Sequence, residues 1–122
     1  MSEIEKRRFR RLTTSIKIEY KLFDDKTAPF LVTSTKDISG GGLCLRVFDQ
    51  FEAGSILLFK FILPGLPRFI FTKGRIVWIK ELSRLGKGKV FELGVEFIEI
   101  KEEDKKRIEE YVRLNKNNTK KT

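Results

Sequence analysis

With 122 residues, the chain is long enough for one domain with its own core and too short for two. It contains no histidine and one cysteine, which excludes an internal disulfide, zinc or iron–sulfur sites built on Cys/His clusters, and histidine-based acid–base or pH-switch chemistry. Of the formal net charge of +9, +3 sits in residues 1–11 and +3 in residues 115–122, which leaves +3 for the other 103 residues and no sign of the broad basic face that tracks a nucleic-acid backbone.

The chain opens on a basic run, Lys6-Arg7-Arg8-Phe9-Arg10-Arg11. No apolar stretch follows it, so it does not read as a secretory signal, and no run approaches the ~20 apolar residues that span a bilayer. A soluble cytoplasmic protein is expected. Arginine forks bind phosphate bidentately and stack on purine rings, which lysine cannot do. Taken alone, the run is either a solvated arm or an anion site. Ser15 to Leu22 alternates apolar and polar residues, the period of a half-buried strand, and Asp24-Asp25-Lys26 ends it in a turn. A second strand is expected over 30–36.

Asp37-Ile38-Ser39-Gly40-Gly41-Gly42 then interrupts the alternation. By itself it reads as an Asx or Ser turn with glycines at positive φ. The functional alternative is a rim for a planar, donor-rich ligand, with aspartate and serine as hydrogen-bonding groups and glycines that let backbone approach closely. Strands follow at 43–48, 56–63, 69–80 and 90–98. They are separated by Gly54-Ser55, Pro64-Gly65-Leu66-Pro67 and Gly86-Lys87-Gly88, all turn chemistry. Cys44, among apolar neighbours, reads as a small buried hydrophobe. The eleven phenylalanines fall mostly within these segments and are expected to fill a core. Gly74 and Gly94 inside strands suggest bulges or bends, and Trp78 is expected in the core. Gly86-Lys87-Gly88-Lys89 lacks the phosphate-loop pattern and reads as a hairpin loop.

From Lys101 to Leu114 the period becomes helical, with Ile108, Tyr111, Val112 and Leu114 apolar. Acids lead (Glu102, Glu103, Asp104) and bases follow, as the helix dipole favours. The expected organisation is a flexible basic arm over 1–12, a β-barrel over 13–100, a helix over 101–114 and a disordered basic tail over 115–122. Regularly spaced short strands with turns between them suggest a small antiparallel barrel or sandwich, and the barrel is preferred because closure removes the unpaired edges. The fold class is therefore all-β with a C-terminal helix, a six-stranded antiparallel barrel.

The combination Arg7-x-x-x-Arg11 before the first strand and Asp37-x-Ser39-x-x-Gly42 between the second and third resembles the PilZ domain family. Gly74-x-x-Val77-Trp78 and Leu93-Gly94-Val95-Glu96-Phe97 resemble that family's fifth and sixth strands. The resemblance covers roughly residues 5–113. It implies a six-stranded barrel with a terminal helix and a receptor for cyclic di-GMP. Arg7 and Arg11 would meet its phosphates and guanines, Asp37 and Ser39 would hydrogen-bond a guanine, and Gly42 would keep the turn open. Lys6, Arg8, Arg10, Gly40 and Gly41 are possible additional contacts, and a basic residue at Lys6 is associated in the family with an intercalated ligand dimer. No metal or other cofactor is expected, and no catalytic constellation is recognisable, so an enzyme is not. An unidentified protein partner would carry the signal onward. Two alternatives stand beside this reading. One is a small barrel that binds single-stranded nucleic acid, which the near-balanced body disfavours. The other is a PilZ interaction module that no longer binds nucleotide, which the intact motifs disfavour.

Overall fold

Alternation carries directly into the architecture of the computed structural model, which describes residues 11–82 and 88–120, with side chains through Asn115. The strands are β1 (Leu12–Thr13), β2 (Lys17–Leu22), β3 (Leu31–Ser39), β4 (Gly42–Val47), β5 (Ile56–Ile62), β6 (Phe69–Leu82) and β7 (Val90–Glu99), followed by helix α1 (Glu102–Lys120). Every pairing is antiparallel, in the order β3-β2-β5-β6-β7-β4, and β4 pairs back onto β3 to close the ring. β1 lies beside β2 along the same edge of β3, with Leu12 opposite Ile38 and Thr13 opposite Asp37. The strand expected over 15–22 is β2, which begins at Lys17, and a break separates it from β1, which lies ahead of the expected start; the closed barrel has six staves.

Thr35 is what bridges that break. Its buried hydroxyl accepts from Ile16 N (3.0 Å) and donates to Thr14 O (2.8 Å), so backbone groups that a continuous ladder would pair are satisfied by one side chain. Leu12, assigned by sequence to the arm, is buried and fixes the chain to the barrel just after Arg11.

The inward phases of the strands fill the core. Ile18 and Tyr20 come from β2, Leu43, Leu45 and Val47 from β4, Leu57, Phe59 and Phe61 from β5, and Phe91, Leu93 and Val95 from β7. Helix α1 packs Ile108 and Val112 into the same cluster. Truncating a buried isoleucine such as Ile108 to alanine costs about 2–5 kcal/mol, enough to undock the helix in a domain of ordinary stability. The helix runs to Lys120, beyond the expected end at Leu114. Its apolar stripe stops there, but neither glycine nor proline follows to end the helix, and the Asn115 side-chain amide Nδ2 donates to Tyr111 O (2.8 Å).

Two bulges upset the alternation. In β3 the pairing shifts between Thr35 and Asp37, which adds Lys36 as an extra residue, and in β6 it shifts between Ile76 and Trp78. A bulge turns two successive residues to the same face. Lys36 and Asp37 both point outward as a result, and so do Val77 and Trp78. Strict period 2 would put Trp78 in phase with buried Ile76; contrary to the core position expected from the sequence, it is 43% exposed. A third shift, between Lys73 and Gly74, puts Gly74 at a bulge as its position inside a strand suggested. The phenylalanines also divide. Phe59, Phe61 and Phe91 are buried, but Phe23, Phe30, Phe48, Phe69 and Phe71 are exposed, either on the outward phase of β6 or where strands end.

Candidate functional site

Because β1 holds Thr13 opposite Asp37, Arg11 leaves the barrel immediately beside that aspartate. Arg11 Nη1 donates to Asp37 Oδ1 at 2.5 Å, with the side chains 37% and 22% exposed. The second arginine of one motif and the aspartate of the other therefore meet, although 26 positions separate them. One donor of the guanidinium fork is engaged here, and the fork carries five.

The bulge that turns Asp37 outward also presents Lys36. Lys36 Nζ and Arg46 Nε converge on Glu92 Oε2, at 3.1 and 3.4 Å. Glu92 is buried, which on its own would raise its pKa. Hydrogen bonds from Lys36 and Arg46, with their charges, outweigh that and hold the carboxyl below its ordinary value. Beside these residues runs an open groove of about 720 Å³ lined by Thr13, Thr14, Thr33, Lys36, Arg46 and Phe48, within the size range of small-ligand sites.

On the other side of Asp37 a row crosses the sheet. Asp37 pairs with Cys44, Cys44 with Gly94, and Gly94 with Trp78. Three strand spacings separate its ends, ~14 Å. The indole lies flat on Gly94, where a Cβ would come within 2.1 Å of the ring. Cys44, within this row, is covered by its neighbours and buried. Burial, then the charges of Asp37 and Glu92, push its thiol up to about 11, so it stays a protonated hydrophobe at neutral pH.

The glycines serve close approach. Neither Gly40 nor Gly42 takes a positive φ, contrary to the turn expected from sequence. A Cβ on Gly42 would sit 2.0 Å from the backbone carbonyl of Val95, so only glycine lets β4 run against β7 at this point. Over Gly40 stands Glu109 of α1, whose Cγ would be 2.6 Å from an added Cβ. Gly41 O accepts from Phe97 N at 2.9 Å. Ser39 is buried, and its hydroxyl is occupied inside the hairpin, where it accepts from Gly41 N (3.1 Å) and contacts Gly42 O (3.4 Å).

Of the residues singled out by sequence, the structure brings together Arg11, Asp37, Ser39, Gly40, Gly41 and Gly42 at one end of the β3–β4 hairpin. Lys6, Arg7, Arg8 and Arg10 lie outside the described residues. Sequence reasoning missed Lys36, Arg46, Phe48 and Trp78. Arg46 could have been found as the lone outward cation of its strand, whereas Lys36 and Trp78 owe their direction to bulges that carry no residue signature.

The profile of the PilZ domain family matches residues 5–114. The chain belongs to the PilZ family. Solved PilZ structures repeat its fold. The PilZ domain of YcgR from Escherichia coli, solved with c-di-GMP, superposes with a TM-score of 0.71 at 14% identity, covering 95% of each chain. The Bacillus subtilis inhibitor of motility (MotI/DgrA) gives 0.76 at 20% identity over 97% of this chain. The K. pneumonia MrkH–c-di-GMP complex gives 0.72 at 16% identity over 98% of it. This PilZ chain spans only 55% and 57% of the last two proteins. Among curated proteins no sequence matches it. Among the described residues there is no cluster of three or more metal-ligating side chains, and no helix is long and apolar enough to cross a membrane.

Proposed function

We propose that this PilZ domain is a receptor for cyclic di-GMP, with Arg7, Arg11, Asp37, Ser39 and Gly42 as its binding set: Arg7, Arg11 and Asp37 contact the ligand, and buried Ser39 and Gly42 shape the hairpin that presents Asp37. The observation that carries the reading is the Arg11–Asp37 pair, which sets a guanidinium beside a carboxylate able to accept from guanine, next along the sheet from a groove lined by Lys36 and Arg46. The ligand has two phosphates and two guanines. Arg11 keeps free donors for a phosphate or a guanine edge, and Arg7, four positions earlier, supplies a second fork. Asp37 accepts from the Watson–Crick edge of guanine through the oxygen that Arg11 leaves open. Lys36 and Arg46 add positive potential along the groove, and the exposed indole of Trp78 offers a stacking face at the far end of the row. Lys6, Arg8 and Arg10 would extend the cationic set, and Gly40 and Gly41 keep the hairpin tip narrow.

Such a site acts as a switch. Ordering the arm ahead of Leu12 costs about 1–2 kcal/mol of backbone entropy per residue. Each charge-assisted bond contributes about 1.5–3 kcal/mol. The arm therefore docks only when the ligand engages several groups together, and docking changes the surface offered to a protein partner. Fluorescence anisotropy of a probe on the arm, titrated with cyclic di-GMP, tests this. Anisotropy rises with saturation if the arm is ordered, and a ligand that binds without changing it rejects the switch.

A further inference from the structure

Around the barrel from Asp37, β2, β5 and β6 turn their outer faces to solvent. Two rows of paired residues cross this face. One runs Val32, Glu19, Lys60, Phe71, and the next runs Lys21, Leu58, Lys73, Glu99. Outward positions on a barrel are ordinarily polar, yet Phe71 is 61% exposed and Val32 58%, with Phe23, Phe30 and Phe69 exposed nearby. The lysines are not scattered among these rings. Lys73 Nζ lies 4.2 Å from the centroid of Phe23, Lys60 4.8 Å from Phe69, and Lys21 5.7 Å from Phe30. In their midst is an apolar notch of about 270 Å³ walled by Phe30, Leu58, Phe71 and Ile100, with Lys73 and Lys101 on its rim. Lys21, Lys60, Lys73 and Lys101 outnumber the carboxylates of Glu19, Glu99 and Asp25, the last near Lys21, and Glu99 is paired with Lys73 at 3.2 Å.

We propose that this face docks a partner protein through a short acidic segment bearing one aromatic or branched aliphatic anchor. The anchor fills the notch, and flanking carboxylates meet Lys21, Lys60 and Lys101. Three features favour that occupant. A notch of side-chain size calls for a single apolar knob, which a flat lipid surface does not present. The lysine ammoniums already cover the faces of Phe23, Phe30 and Phe69, so these rings are not open stacking platforms for unpaired bases. A second copy of this chain would set lysines against lysines. The notch shares no lining residue with the groove beside Lys36 and Arg46, and Val32, at the near end of the first row, is where the two surfaces adjoin.

The test is amide NMR on the full chain titrated with an acetylated, amidated hexapeptide, Glu-Asp-Phe-Leu-Asp-Glu, and with its counterpart in which lysine replaces every acid. The acidic peptide is expected to give saturable shifts at Leu58, Phe71, Lys73 and Lys101, and the basic one none. Phe71→Ser and Lys101→Ser, each giving a dispersed spectrum of a folded barrel, are expected to weaken the acidic peptide on the order of tenfold. The proposal is overturned if the shifts fall only on the arm before Leu12 or around Asp37, if both peptides behave alike, or if both variants bind as well as the parent. It is also overturned if the peptide gives no shifts while the parent floats with phosphatidylglycerol-containing vesicles and Phe71→Ser does not.

Discussion

Replacing Arg11 by alanine separates affinity from stability. The guanidinium contacts Asp37 at 2.5 Å, but its side chain is 37% exposed, so water screens the pair. An ion pair of that kind contributes at most about 1 kcal/mol to folding. Leu12, which anchors β1, is untouched. Arg11→Ala should therefore unfold in urea with nearly the parent midpoint and slope. Ligand binding should respond differently, because among the described residues Asp37 alone engages the fork, and its remaining donors can turn to the ligand. Loss of one charge-assisted contact is worth about 2 kcal/mol, or roughly 30-fold in Kd. Titration calorimetry on parent, Arg11→Ala, Asp37→Ala and the double variant measures the coupling as well. The single losses should not add, since each removal leaves the other group without its partner. Unchanged affinity in Arg11→Ala, or strict additivity in the cycle, would refute the shared site.

Three other outcomes follow from the geometry. Gly42→Ala drives a methyl into the Val95 carbonyl and should destabilise by on the order of 3 kcal/mol or more, whereas Gly40→Ala meets only the flexible Glu109 side chain and should cost less than about 1 kcal/mol; urea titration of the two checks this contrast. Glu92 has a lowered pKa in the fold, so its contribution is full above the unfolded value near 4.5 and disappears as pH falls through the lower folded value. Glu92→Gln should accordingly flatten stability against pH in acid, and a variant as acid-sensitive as the parent would remove Glu92 from that role. Trp78→Ala leaves the fold intact, since the indole lies on the surface over Gly94, and should weaken cyclic di-GMP on the order of tenfold by calorimetry; equal affinity would take the indole out of the ligand surface.

The staves of the barrel were legible in the sequence because each buries one face, and period 2 records which residues do so. Ile18 and Tyr20, or Phe59 and Phe61, could be assigned inward by counting. What counting could not supply was the position of the bulges. Nothing in Thr35-Lys36-Asp37 distinguishes a regular ladder from one with an extra residue, yet that residue decides that Lys36 and Asp37 share the outer face. The same holds for Ile76-Val77-Trp78, where the misplaced tryptophan was the consequence. The juxtaposition of Arg11 and Asp37 rests on a strand of two residues, Leu12 and Thr13, too short to show any period. Gly40 and Gly42 were noticed in the sequence, but the positive φ expected of them is absent. Their reason is the backbone of β7 and the side chain of Glu109, neighbours distant in sequence. The helix end was set at Leu114 because apolar spacing records burial, and α1 outlasts its buried stripe.

Calorimetric titration of the full chain with cyclic di-GMP, with cyclic di-AMP as the matched control, addresses the receptor reading most directly. Saturable binding of the guanine dinucleotide is expected, with a shallow dependence on salt because only two phosphates are engaged, and much weaker binding of the adenine one. No saturable heat with either ligand, or equal affinity for both, would contradict it.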